Sequence, residues 1–197
     1  YLRRGRGGAI HSIHAPGVAA LVLPAFAAGG YSAVVLFLSV LSACALIPVW
    51  RAANAVAGPG TAMFATAAVG LSVPFFFQSM TIYPDGPAAA IVATVMWLAL
   101  SRGIGSPASA ALAGVLLGTL PWLHTRYALI AATLGVVVVA RIVWPADERS
   151  RAGIASRVAA FAAPAAVAAV AWFGLFQSIY GTWDPRAPYG HATDMRL

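Results

Sequence analysis

The 197-residue sequence contains no lysine, a single cysteine and only five acidic residues. Charged residues make up 9% of the chain, against about 25% in an ordinary soluble domain. So little charge cannot solvate a globule in which 61% of the residues are apolar, and a water-soluble domain is excluded. Cys44 stands alone in an apolar run, which excludes a disulfide framework and a cysteine metal site. The twelve basic residues are all arginine and are scattered, so the net charge of +7 does not form the basic face that nucleic acid requires. What is left is the composition of a polytopic, all-α membrane protein. The missing lysine, beside abundant Ala, Gly and Arg, is the usage of a GC-rich bacterial genome and points to a bacterial cytoplasmic membrane.

A helix needs about 20 apolar residues to cross the hydrocarbon layer, within a working range of roughly 17–25. Six stretches are read as spans: Tyr31–Trp50, Thr61–Ser79, Pro87–Ser101, Pro107–Leu123, Tyr127–Val143 and Val158–Tyr180. Gly17–Gly29 is different. It holds 13 residues, is interrupted by Pro24 and closes on Gly29-Gly30. At 1.5 Å per residue it reaches roughly 20 Å, so it is expected as a short helix in the membrane interface, with a tightly packed short span as the runner-up. The expected fold is a single transmembrane domain over residues 1–197, a bundle of about six helices plus that interfacial one. The segment Tyr1–Gly8 has neither the apolar core nor the cleavage site of a secretory signal, and the chain reads as an internal piece of a longer protein.

Six crossings put Arg51, Arg102, Arg141, Arg149, Arg151 and Arg157 in loops on one side, while the internal loops of the other side carry only Arg126. The positive-inside rule assigns the arginine-rich side to the cytoplasm. Arg3, Arg4 and Arg6 run against this assignment. With it, all four histidines (His11, His14, His124, His191) and Asp85, Asp184 and Asp194 map to the outer face, whereas Asp147 and Glu148 lie in a solvated cytoplasmic loop.

The candidate binding residues are therefore His14, Asp85, His124 and Arg126. Asp85 sits in Tyr83-Pro84-Asp85-Gly86-Pro87, where a carboxylate caps a helix start as readily as it binds a hydroxyl, a metal or a cation. Arg126 and His124 sit in Pro121-Trp122-Leu123-His124-Thr125-Arg126-Tyr127. A structural reading has Arg126 snorkelling to headgroups, with Trp122 and Tyr127 as belt aromatics. A functional reading has the guanidinium holding the phosphate of a lipid-linked ligand, since its fork matches phosphate oxygens. His11 and His14 are three apart, but Pro16 and Gly17 spoil the helix that would align them as metal ligands, and no metal site is expected. Asp184 and His191 belong to a Pro-rich outer loop and read as structural. No HExxH, Gly-rich phosphate loop or Gly-x-Ser-x-Gly elbow occurs.

The order of these segments is His-Ala-Pro-Gly (14–17), a short apolar helix ending Gly-Gly, a span, a Tyr-Pro-Asp turn and a Pro-Trp-Leu-His-Thr-Arg turn. It resembles the polytopic glycosyltransferases that use polyprenyl-phosphate sugars, the GT-C group with the protein O-mannosyltransferases and aminoarabinose transferases. Residues 12–17 resemble that group's His-Pro-Pro-Leu-type stretch, and Gly17–Gly29 its juxtamembrane helix. The resemblance implies transfer of a sugar from a lipid-linked donor to an acceptor on the outer face, with membrane lipids as partners and no cofactor. It also implies a catalytic acidic residue early in the first outer loop. No Asp or Glu precedes Asp85 here, so the catalytic residue is unassigned and expected upstream. Rival readings are a multi-pass transporter or lipid flippase, suggested by Pro24, Pro48, Pro74 and Pro164 in or near apolar runs, and a non-catalytic membrane scaffold.

Overall fold

Long uncharged apolar runs satisfy their backbone polar groups most cheaply within themselves, and helices result. The computed structural model describes residues 2–101, 104–144 and 151–189; Arg102, Asp147, Glu148, Arg149, His191 and Asp194 lie outside them. Seven helices and one hairpin make up the described chain. The hairpin pairs β1 (Leu2–Arg4) with β2 (Ile10–Ser12) antiparallel, Arg3 opposite His11. The helices are α1 (Gly17–Ala57), α2 (Pro59–Gly70), α3 (Val73–Gln78), α4 (Asp85–Leu100), α5 (Pro107–Leu123), α6 (Tyr127–Val143) and α7 (Arg151–Tyr180), followed by a 3-10 turn at Ala187–Tyr189.

The 41-residue α1 is two arms joined at a kink, because Gly29 and Gly30 leave helical geometry and Gly30 takes φ 63°, ψ −149°. That backbone is open to glycine and strained for any other residue. The short apolar helix expected at Gly17–Gly29 is the first arm. Pro24 and Pro48 ride inside the helical stretches without breaking them. The expected span Thr61–Ser79 is corrected: it is two pieces, α2 and α3, not one helix. Ser72 is extended (ψ 139°) and α3 restarts with Pro74 in its first turn, the one place where a missing N–H costs nothing.

By length and composition, α1 and α7 are the two helices able to cross a membrane. The helices α4, α5 and α6 are apolar but hold 16 or 17 residues, about 25 Å of rise against a hydrocarbon core of about 30 Å. The contacts set their directions. Down one end of the bundle, α1 and α4 run side by side, with Ser42 beside Gly86 and Arg51 over the Trp97 ring at 4.8 Å. The broken pair α2–α3 returns along α1, Gly70 meeting Leu46 and Ser39 Oγ donating to the Ser79 carbonyl at 3.1 Å. Likewise α6 runs with α4, from Tyr127 beside Asp85 to Arg141, whose Nε donates to the Ala99 carbonyl at 2.8 Å.

The helices α5 and α7 climb together in the opposite sense and form the tightest contact of the bundle. A Cβ at Gly114 would collide with the Phe161 carbonyl oxygen, and one at Gly118 would lie 2.7 Å from the Ala168 Cβ. Small residues four apart, Gly114 and Gly118, let the two backbones touch, which is how helices associate when no hydrophobic effect drives them. Trp122 Nε1 closes the seam on the Ala168 carbonyl at 3.2 Å. Leu120, Val95, Val138 and Ile142 fill the core, while Phe64, Leu71, Leu129 and Val136 are exposed. The outside thus carries many large apolar side chains as well. At the end away from Asp85, Arg157 is buried, with Nη1 on the Gly105 carbonyl at 3.4 Å.

Candidate functional site: a cationic turn beneath a hairpin

The Asp85 end of the bundle gathers groups distant in sequence. Helix α5 stops at Leu123 because His124 is extended (φ −161°, ψ 136°), and α6 starts three residues later. The turn between them closes on itself: Tyr127 N–H donates to the His124 carbonyl at 2.9 Å, and Arg126 N–H donates to the His124 ring Nδ1 at 3.2 Å.

Asp85 stands in the first turn of α4, and of the partners its position leaves open the carboxylate takes a cation and a hydroxyl, with no side-chain cap at the helix start. Its Oδ1 accepts from Arg126 Nη2 at 2.6 Å and from the Tyr127 hydroxyl at 2.6 Å, while Nη2 also donates to the Tyr127 oxygen at 3.1 Å. These three side chains form a closed triangle. Tyr127 is buried, with its hydroxyl engaged in the triangle. The bonds from Tyr127 and Asp85 stabilise the charged guanidinium and raise its pKa further. At His124 the pKa is lowered, first by burial and then by the positive charge of Arg126 and the proximity of His14; Asp85 opposes the shift. Burial and the neighbouring charge thus both favour the neutral ring.

A cavity of about 740 Å³ opens beside the triangle. His11, His14, His124 and Arg126 line it, with Tyr83 and Tyr180. Its other walls are apolar: Val18 and Val22 from the first arm of α1, Leu175, Phe176 and Ile179 from α7. The His14 and His124 rings lie 6.2 Å apart, and His11 meets Tyr180 edge-on at 6.3 Å. The hairpin is tied over the end of α7, Arg6 N–H donating to the Ile179 carbonyl at 2.7 Å and Arg3 Nη1 to the Pro188 carbonyl at 3.3 Å.

Of the four residues singled out from the sequence, His14, His124 and Arg126 line the cavity. Asp85 does not; it sits behind Arg126 and orients it. Asp184 pairs locally with Arg186, Nε to Oδ1 at 3.1 Å, and His191 lies outside the described residues. Among the described residues no three His, Cys, Asp or Glu side chains stand together as metal ligands. Sequence reasoning missed Tyr127 and Tyr180; an Arg-Tyr pair opening a helix after a three-residue turn was the available signal for the first. Compared with known proteins, the chain matches no family model, no curated protein and no solved structure.

Proposed function

We propose that the protein is a multi-pass glycosyltransferase of a bacterial cytoplasmic membrane, moving a sugar from a polyprenyl-phosphate donor to an acceptor on the outer face. Successive helices of the bundle alternate in direction, the broken pair α2–α3 counting as one, and the cavity lies at the end opposite Arg51, Arg141 and Arg157. One observation carries the reading: a single chamber is lined by Arg126 and by an apolar wall from α1 and α7. A lipid phosphate has the same two-part chemistry. Its anionic oxygens match the guanidinium fork, and its first isoprene units match Val18, Val22 and Leu175.

The reaction is a direct displacement. An acceptor oxygen bonds to the sugar's anomeric carbon as the bond from that carbon to the phosphate oxygen breaks, and the lipid phosphate departs. Arg126 stabilises the negative charge that develops on it. The acceptor's proton needs a base. Asp85, engaged by Arg126 and Tyr127, is spent on orientation, so the base is not assigned within the described residues.

The test is transfer of radiolabelled sugar from a synthetic polyprenyl-phosphate sugar by the intact protein in proteoliposomes. Arg126→Ala is expected to lower both transfer and donor binding at least tenfold. Unchanged transfer and binding would remove Arg126 from the mechanism. Labelled lipid appearing in the opposite leaflet without sugar transfer would favour the flippase reading, which the kink at Gly29-Gly30 and the break at Leu71-Ser72 keep in play.

A further inference from the structure

His124 has two ring nitrogens, and the fold uses one of them. Nδ1 accepts the Arg126 N–H at 3.2 Å. A nitrogen that accepts a hydrogen bond carries no proton, so in the neutral ring the proton is on Nε2. Among the described residues Nε2 has no hydrogen-bond partner, and the ring lines the cavity beside Arg126. Protonating the ring would put a hydrogen on Nδ1, face to face with the Arg126 N–H, and remove one of the bonds that close the turn from which the Arg126 side chain projects. Binding a metal through Nε2 would force the same proton onto Nδ1.

We propose that His124 is a neutral, fixed-tautomer positioning residue: Nδ1 holds the backbone of Arg126, and Nε2–H donates to an oxygen of the lipid-linked phosphate. The second half rests on the lipid-phosphate reading above; the first half stands without it. The groups facing the ring are His14 at 6.2 Å, Tyr127 at 5.9 Å, Arg126 and Asp85, with His11, Tyr83 and Tyr180 on the other cavity walls. Burial and the Arg126 charge both favour the neutral ring, in keeping with the geometry.

Two experiments on the full chain in detergent or nanodiscs separate the halves. The first is a nitrogen-15 spectrum of histidine-labelled protein at pH 7.5, with the His124 signal assigned by its loss in His124→Asn. The expected signal is a neutral ring protonated at Nε2. A proton on Nδ1, or a charged ring, overturns the proposal.

The second is titration with farnesyl phosphate. His124→Asn keeps an acceptor near the Nδ1 position and removes the Nε2 donor; His124→Gln keeps a donor near Nε2 and removes the Nδ1 acceptor. Each is expected to weaken binding about three- to tenfold, and His124→Ala more than either. Wild-type affinity in His124→Asn overturns the donor role, and wild-type affinity in His124→Gln overturns the backbone role. Failure of the wild-type protein to bind farnesyl phosphate overturns the lipid-phosphate reading and the donor role with it, while the spectrum still decides the tautomer.

Discussion

Tyr127 and Asp85 are 42 positions apart and share a 2.6 Å hydrogen bond. The bond joins the first residue of α6 to the first residue of α4, and Arg126 closes the third side of the triangle. Tyr127→Phe removes the donor to Asp85 and one acceptor from Arg126. Loss of about 1 kcal/mol is expected, seen as a fall in Tm of roughly 2–4 °C for a chain of this size. Prenyl-phosphate affinity falls with it, because Arg126 loses a restraint. Thermal unfolding in detergent checks the first effect and titration the second.

Asp85→Asn tests the ion pair separately. With Arg126 side chain at 55% and Asp85 at 32% exposure, solvent screens the pair, and the stability cost is expected at only about 0.2–1 kcal/mol. Anion binding is expected to rise or hold, since the mutation removes the negative charge from beside the guanidinium of a cavity-lining arginine. A tenfold loss of farnesyl phosphate affinity would show that orientation by Asp85 outweighs its charge.

Two glycines of the α5–α7 pair are opposite in kind. Gly114 is jammed against the Phe161 carbonyl, whereas a Cβ on Gly174 meets nothing within 4 Å. Gly114→Val is expected to destabilise by about 1–3 kcal/mol or to prevent folding. Gly174→Ala is expected to be neutral or to stabilise by up to about 1 kcal/mol, because alanine gives up less backbone entropy in a helix. Equal tolerance of both substitutions in thermal melts would refute the close α5–α7 contact.

Arg157 is buried, and its Nε and Nη2 have no hydrogen-bond partner among the described residues. A buried cation so poorly paired contributes little that an apolar side chain of similar length would not. Arg157→Met is therefore expected to leave Tm unchanged or raise it. A fall of several degrees would reveal a partner that the described residues do not contain.

Acidification is expected to loosen the site. The His124 pKa is lowered in the fold, so the unfolded chain binds a proton there more readily than the native one. Stability from this group is complete above the ordinary histidine range near pH 6.5 and declines as pH falls through it toward the lowered native value. Melts between pH 8 and pH 5 check this, and the part of the decline owed to His124 is absent in His124→Asn.

Much of this architecture is legible in order and spacing. The apolar runs became helices near the expected positions, and a Gly29-Gly30 kink ended the short first arm. The turns at the Asp85 end were recognisable because Pro-Asp-Gly-Pro and Leu-His-Thr-Arg interrupt those runs. Thr61–Ser79 was misjudged because hydropathy does not register the extended Ser72, after which Pro74 falls in the first turn of a fresh helix. Asp85 stayed open between capping and binding, because a carboxylate at a helix start looks the same in sequence whether it caps its own helix or reaches a neighbouring one.

Helix formation and a nonpolar exterior were dictated by composition, since a chain this poor in charge has no other way to satisfy its amides away from water. Which polar groups would meet was settled only by packing. Gly114 and Gly118 bring α5 onto α7, α6 folds back along α5 and α4, and that arrangement delivers Arg126 and Tyr127 to Asp85. Contacts between residues some forty positions apart depend on where helices stop and how closely their backbones approach, and neither is written in any local run of the chain.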